Sequence, residues 1–204
     1  MTMDALLVVD IQNDFLPGGS LAVPHGDEII PLANAMQHNA GLVVATQDWH
    51  PRHHKSFASQ HEGKETFDTI DLDGLEQILW PDHCVQQTEG AEFPESLDLR
   101  RAEAIIRKGM ETDIDTYSGF FDNGHRKATG LGAYLEGRGV KRVYVAGLAA
   151  EVCVSYTLLD ARKLGFEAVL IEDATRPIKE DDFAGMKQKL EDAGVEFMKS
   201  EDVM

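Results

Sequence analysis

Six stretches of the chain are almost wholly apolar rather than alternating. They are Ala5–Asp10, Leu42–Thr46, Ala104–Arg107, Val143–Ala146, Ala168–Ile171 and Val195–Met198. A strand with one wet face alternates, whereas continuous apolar runs belong to a parallel sheet covered on both faces. Segments with helical spacing lie between them, at Asp27–Asn39, Gly130–Gly137, Val152–Leu164 and Glu180–Asp192. The first has Pro31 in its early turns and Gly41 past its end. The last opens on Glu180, Asp181 and Asp182, carries its lysines later and is followed by Gly194, the order a helix dipole favours. Strands alternating with helices predict a three-layer α/β domain.

One region departs from this pattern. From His50 to about Glu103 no clear strand appears, and His, Pro, Gly, Asp and Glu are dense. A stretch of this length without regular structure is uncommon in a compact domain unless it serves the function. Within it a short helix is expected near Leu72–Leu79.

In an open parallel sheet, functional groups gather at the carboxyl ends of the strands. Here those ends carry Asp10, Asp48 with His50, Lys108, and the turn before Cys153. Cys153 follows the run Val143–Ala146 and the small-residue turn Gly147–Ala150, so it falls in the first turn of the next helix. Unpaired N–H groups and the positive end of the helix dipole favour a thiolate there, which makes Cys153 a candidate nucleophile. Asp10 would supply a base, and Lys108 a cation. Asp48 and His50, two apart at a strand end, point to the same side. His83, in Trp80-Pro81-Asp82-His83-Cys84-Val85, is a third candidate ligand. One carboxylate and two imidazoles suit Zn²⁺, Fe²⁺ or Mn²⁺, with positions left for water or substrate. His53 and His54 stay open as a further ligand. His25, His38, His61 and His125 read as solvated or structural, and Cys84 as a bystander.

Composition narrows the classes. A chain of 204 residues, 43% hydrophobic and 27% charged, is expected to form one domain with an elaborated loop system. Its net charge of −17 argues against nucleic acid and anionic membrane surfaces. There is no Gly-x-Gly-x-x-Gly after a strand and no P-loop, so phosphate binding has no support. No apolar stretch approaches membrane-spanning length. Asp4 and Asp10 interrupt the first apolar run, which argues against a secretory leader. A cytoplasmic protein with reduced thiols is the simplest expectation.

Four segments carry a resemblance. They are Val9-Asp10-Ile-Gln-Asn-Asp-Phe15-Leu-Pro-Gly-Gly-Ser-Leu-Ala-Val23, Thr46-Gln-Asp48-Trp-His50-Pro, Trp80-Pro-Asp-His83-Cys-Val and Gly147-Leu-Ala149-Ala-Glu-Val-Cys153-Val. In this order they resemble the nicotinamidase/pyrazinamidase branch of the isochorismatase-like hydrolases. The resemblance implies a Rossmann-like, mostly parallel six-stranded sheet with helices on both faces. It implies a single hydrolase domain over residues 1–204, with residues 50–103 as a metal-site and lid region. It implies a catalytic triad of Asp10, Lys108 and Cys153, and one divalent metal, zinc before iron or manganese, on Asp48, His50 and His83. It implies an oxyanion hole from the backbone N–H groups of Ala149 and Cys153, with a cis peptide at Leu148–Ala149. It implies a substrate site formed by Phe15, Trp80, Tyr117 and Leu148. Ala150-Glu151 departs from the Thr-Asp of many relatives, a change expected to be tolerated.

The implied activity is metal-dependent hydrolysis of nicotinamide through a cysteine thioester in NAD salvage, with pyrazinamide left open as a further substrate. The partner is a small molecule rather than nucleic acid or membrane, and homo-oligomerisation is left open. Two rivals share the fold. Another amide or carbamoyl hydrolase would keep the triad but usually lack the Asp48/His50/His83 set. A non-catalytic binding protein would have an unreactive thiol.

Overall fold

The structure is a computed structural model and describes residues 3–203. In chain order its main elements are β1 (Met3–Val9), α1 (Ile30–Gln37), β2 (Leu42–Asp48), β3 (Thr69–Leu72), β4 (Leu75–Ile78), β5 (Ala102–Lys108), α2 (Leu131–Gly137), β6 (Val140–Leu148), α3 (Ser155–Lys163), β7 (Glu167–Arg176), α4 (Glu180–Asp192) and β8 (Glu196–Met198). Six strands form one sheet in the order β5-β2-β1-β6-β7-β8. All five pairings in it are parallel, so the sheet is parallel throughout rather than mostly so.

The continuous apolar runs are explained by two cores, one on each face. Along β1, Leu6 and Val8 face the core that contains Ala33 and Met36 of α1. Ala5, Leu7 and Val9 face the other, with Leu135 of α2, Leu158 of α3 and Leu190 of α4. Successive strand residues alternate faces, and both faces are dry. Removing a fully buried leucine such as Leu7 would cost about 2–5 kcal/mol. β5 is an edge strand in which exposed residues alternate with half-buried ones, and its last residue, Lys108, is its sole buried member.

Sheet order and register position the strand ends. The order reverses direction between β1 and β6, where a crevice opens at the carboxyl edge. Asp48 pairs with Lys108 across β2 and β5, and Val9 pairs with Gly147 across β1 and β6. Asp10 therefore leaves β1 beside the turn that leads to Cys153. β6 comes so close to β1 that a Cβ on Gly147, at φ +133°, would collide with the Val9 carbonyl. Glycine is required there on both counts.

Two local expectations need correction. The expected helix near Leu72–Leu79 is an antiparallel hairpin, β3 with β4, joined by Asp73-Gly74. Both turn residues have positive φ, +53° and +80°. Asp-Gly is the preferred pair for a two-residue turn of this hand, and its geometry overrides the apolar spacing. The helix expected over Val152–Leu164 begins instead as a wide turn over Ala150–Val154, in which the Val154 N–H donates to the Ala149 carbonyl five residues back at 3.2 Å. Cys153 lies in that turn, and α3 follows. Among the described residues no helix is long and apolar enough to cross a membrane.

Candidate active site and metal centre

Lys108 is the hub of the site. Its Nζ donates to Asp48 Oδ1 at 2.5 Å, to the Thr116 carbonyl at 3.0 Å and to Cys153 Sγ at 3.4 Å. An ammonium has three N–H groups, shared here among four neighbours. The fourth, Asp10 Oδ2, stands 2.8 Å from the same Nζ as an ion pair. The other oxygen, Oδ1, accepts from Thr46 Oγ1 at 2.6 Å. Thr46 thus holds one Asp10 oxygen, and the other faces the ammonium. Asp10 itself has φ +47°, which Asp tolerates better than most residues. The resulting rim, with Asp10, Lys108 and Cys153 in mutual reach, is the arrangement expected from the strand ends.

Burial and charge set the protonation states. Burial alone would lower the Lys108 pKa, but Asp10 and Asp48 outweigh it and hold the ammonium well above its ordinary value. Burial would raise Asp48, yet Lys108 and then His50 keep it ionised and well below the carboxylate range. Asp10 moves the other way. Burial raises it, with Asp48 adding to the rise, and Lys108 compensates in part. The Cys153 thiol is also pushed well up, first by burial and further by Asp10 and Asp48, against the pull of Lys108. This corrects the expectation of a resting thiolate. Cys153 rests as a thiol, with the Asp10 carboxyl beside it. Cys84 is buried and likewise pushed up, and the two cysteines are unpaired.

The metal-type donors converge from three segments. Asp48, His50 and His83 offer ligand atoms within 4.8 Å of one another. Asp48 Oδ2 lies 3.6 Å from His50 Nε2 and 3.9 Å from His83 Nε2. His50 Nδ1 bonds the Gly109 carbonyl at 2.9 Å, and His83 Nδ1 bonds the Pro81 carbonyl at 2.8 Å. A carbonyl accepts only, so each Nδ1 carries a hydrogen, and in the neutral ring each Nε2 presents a lone pair towards Asp48. Burial lowers His83 to about 4 and keeps it neutral, as a ligand must be, whereas His50, against the pull of burial, is raised by the Asp48 carboxylate and gives up its Nε2 proton when it ligates. These residues therefore fit a divalent ion. Gly109, at φ +66°, is needed because any Cβ there would strike the His50 ring.

His54 is buried against His50, with ring centroids 4.4 Å apart. With Asp115 and His50 it forms a second donor set. Its own nitrogens are engaged, Nδ1 with Ser56 Oγ at 2.7 Å and Nε2 with the Ile114 carbonyl at 3.3 Å, so it packs beside the first set. His53 is exposed.

A cleft opens above Cys153. Phe15, Trp80, Tyr117 and Ala149 line it together with Asp48, His50 and His83. Tyr117 Oη accepts from Gln77 Nε2 at 3.1 Å and lies 3.3 Å from Trp80 Nε1, which ties two of the aromatic walls together. Leu148 does not reach the cleft. It is fully buried and packs towards Gly26. The peptide between Leu148 and Ala149 is cis.

Sequence analysis missed several contributors. Leu21, Asp115, Val152 and Ile178 also line the cleft. Thr46 was legible in principle, being two residues before Asp48 and on the same face of β2. Gln12 carried no such signal. Its side-chain amide both accepts from the Asp48 N–H and donates to the Asp48 carbonyl, each at 2.8 Å, and so fixes the metal-side carboxylate through its backbone.

Comparison with known proteins agrees with this site. The isochorismatase domain model matches residues 4–202. The nicotinamidase of Acinetobacter baylyi is 49% identical over 174 residues, 85% of this chain and 81% of that protein. The solved nicotinamidase/pyrazinamidase of Acinetobacter baumanii superposes with a TM-score of 0.97 at 46% identity, covering 100% of this chain and 99% of that one. The pyrazinamidase of Pyrococcus horikoshii in complex with zinc gives a TM-score of 0.80 at 41% identity over 97% of this chain and 99% of its own. The chain belongs to the isochorismatase family, in its nicotinamidase/pyrazinamidase branch.

Proposed function

We propose that the protein hydrolyses nicotinamide to nicotinate and ammonia with Cys153 as nucleophile. The observation that carries this is the single ammonium of Lys108 touching Asp48 and Cys153 and pairing with Asp10, below an aromatic cleft.

The carboxamide carbon sits over Sγ with its ring between Phe15, Trp80 and Tyr117. The Cys153 proton passes to Oδ2 of Asp10 as Sγ attacks the carbon. The carbonyl π electrons move to oxygen, where the N–H groups of Ala149 and Cys153, both residues of the cleft wall, stabilise the charge. The C–N bond breaks as Asp10 returns the proton to nitrogen, and ammonia leaves a thioester. Water then attacks the thioester carbon and gives a proton to Asp10. The C–S bond breaks, the thiolate recovers that proton from Asp10, and nicotinate departs. Lys108 stays charged throughout and holds Asp10 and sulfur in register.

Asp48, His50 and His83 would hold the divalent metal, zinc first among the choices. When bound, the ion supplies a Lewis-acid contact for the pyridine nitrogen, directly or through water, and so orients the ring. The whole of residues 1–204 acts as one hydrolase domain, with residues 50–103 as metal side and cover. Two unpaired buried thiols support a reducing, cytoplasmic setting, and the likeness to nicotinamidases supports a place in NAD salvage.

The test is ammonia release from nicotinamide by metal-analysed protein, with pyrazinamide as a second substrate. Turnover that disappears in Cys153→Ala is expected. A metal-loaded protein that releases no ammonia from nicotinamide would overturn the proposal.

A further inference from the structure

Glu151 lies in the nucleophile turn but takes no part in the chemistry above. It is 8% exposed, although it is a carboxylate two residues from Cys153. Its Oε1 accepts the backbone N–H groups of Ile178 and Lys179, both at 2.9 Å, and Oε2 accepts Ile178 again at 3.2 Å. Neither N–H has another acceptor among the described residues. These two residues belong to the short connection between β7 and α4, which otherwise has no ladder to hold it. A negative group there also suits the amino end of α4.

The connection matters because of what it carries. Ile178 lines the cleft beside Val152 and Cys153, so its side chain is a wall of the substrate site. Lys179 places its ammonium 4.8 Å from the ring centre of Phe67, on the far side of the wider outer vestibule of about 300 Å³. The same carboxylate thus ties the turn bearing the nucleophile to the segment bearing the opposite wall.

We infer that Glu151 is a positioning residue that sets the width of the substrate cleft by clamping the Ile178–Lys179 backbone onto the Cys153 turn. This rests on Cys153 being the nucleophile of an amidase site. Loss of the clamp leaves two N–H groups without acceptors and frees the wall, while the Asp10–Lys108–Cys153 contacts stay as they are. Substrate binding should therefore suffer more than the chemical step.

The test compares wild type, Glu151→Ala, Glu151→Gln, Ile178→Ala and the double variant Glu151→Ala/Ile178→Ala, all metal-loaded. For Glu151→Ala, KM for nicotinamide is expected to rise roughly tenfold with kcat changed less than about threefold, the scale of one lost hydrogen bond, the rest of the loss falling on the ordering of the freed loop. Glu151→Gln keeps one oxygen facing both N–H groups and should recover most of the loss. Ile178→Ala should raise KM as well, and the double variant should be no worse than the more impaired single one, since both act through the same wall. Hydrogen exchange at the Ile178 and Lys179 amides, slow in wild type, should become fast in Glu151→Ala. Additive effects in the double variant, equal losses in kcat and KM, or unchanged exchange would each overturn the clamp. A wild-type protein that releases no ammonia would instead remove the amidase reading, and the exchange measurement would still decide whether the clamp exists.

Discussion

The strand-end rim and the irregular chain over residues 50–103 build the same site by opposite means. Along the rim, Asp10, Asp48 and Lys108 are placed by sheet register, each at the end of a strand whose pairing is set by dry cores on two faces. In the irregular region no strand of the main sheet does this work. Its residues are held by short backbone bridges, such as the His50 N–H to the Cys84 carbonyl and the Gln86 N–H to the His50 carbonyl, each at 2.9 Å, and by side chains reaching into backbone. Asp14 Oδ2 accepts the Cys84 N–H at 2.7 Å, next to His83, and His83 is steadied by the Pro81 carbonyl. This sheet slips only by exchanging the residues that fill its two cores, whereas a pinned loop moves when one pin is lost. The rim should therefore fail in chemistry, and the cover in binding.

Cys153→Ala tests the rim most severely. Ammonia release should fall by about 10⁴-fold or more, with the fold intact, because losing the proposed covalent nucleophile leaves only binding and oxyanion contacts. Thermal unfolding should stay within a few degrees of wild type. A variant retaining a tenth of the activity would show that the rim is not where the reaction occurs.

Lys108→Met separates chemistry from stability on the same rim. It leaves Asp48 and Asp10 as neighbouring buried carboxylates without their cation. Breaking a buried pair in this way costs about 3–5 kcal/mol. Both activity and denaturation midpoint should drop, and the stability loss should shrink at lower pH, where the raised Asp10 carboxyl can take up a proton. A midpoint independent of pH would show that Lys108 does not balance these acids.

On the metal side, removing the ion with a chelator should abolish or strongly weaken turnover, and returning it should restore activity. Asp14→Ala sharpens the point, since Asp14 touches no ligand side chain. Loss of its bond to Cys84 should weaken metal affinity about 10–100-fold in a chelator competition. Unchanged affinity would mean that His83 is placed by its own turn alone.

The same division explains what could be seen in the sequence. Asp10, Asp48, Lys108 and Cys153 were legible because continuous apolar runs mark buried strands, and strand ends of a parallel sheet share one rim. Leu21 and Ile178 were not, because their places depend on contacts far along the chain, Ile178 on the carboxylate of Glu151. The hairpin β3–β4 lies between these cases. Asp73-Gly74 announces it, but Leu72, Leu75 and Leu79 at spacings of three and four imitate a helix. Leu148 shows the reverse error, a residue inside a recognised motif whose side chain turns into the core. Protonation of Cys153 was also beyond reach, since helix position argues for a thiolate and only burial with Asp10 and Asp48 reverses it.

Asp10 also gives the rim a pH signature. In the proposed mechanism its carboxyl must be ionised to accept the thiol proton, and burial, reinforced by Asp48, raises its pKa. The kcat/KM for nicotinamide should therefore rise with pH through a value above the ordinary range for aspartate and then level off. Lys108, held well above its usual value, should cause no loss at moderately alkaline pH. The profile must be taken with metal content measured at each point, because acid also protonates imidazole ligands. An acid limb that follows metal loss alone would assign it to the cover instead.

The smallest effect should come from Gln77, where the hairpin meets the cleft. Its Nε2 shares two N–H groups among the Ile78 carbonyl at 2.7 Å, Asp115 Oδ2 at 3.0 Å and Tyr117 Oη at 3.1 Å, so a β4 side chain steadies one aromatic wall. Asp115 keeps the Thr116 N–H at 2.8 Å on its other oxygen, Oδ1, and Tyr117 keeps Trp80. Gln77→Ala should then raise KM for nicotinamide about two- to fivefold, the worth of a hydrogen bond of roughly 0.5–1 kcal/mol, and leave kcat near wild type. A fall in kcat with KM unchanged would mean that the hairpin acts on the reacting groups through Asp115, and the separation of rim from cover would not hold at this point.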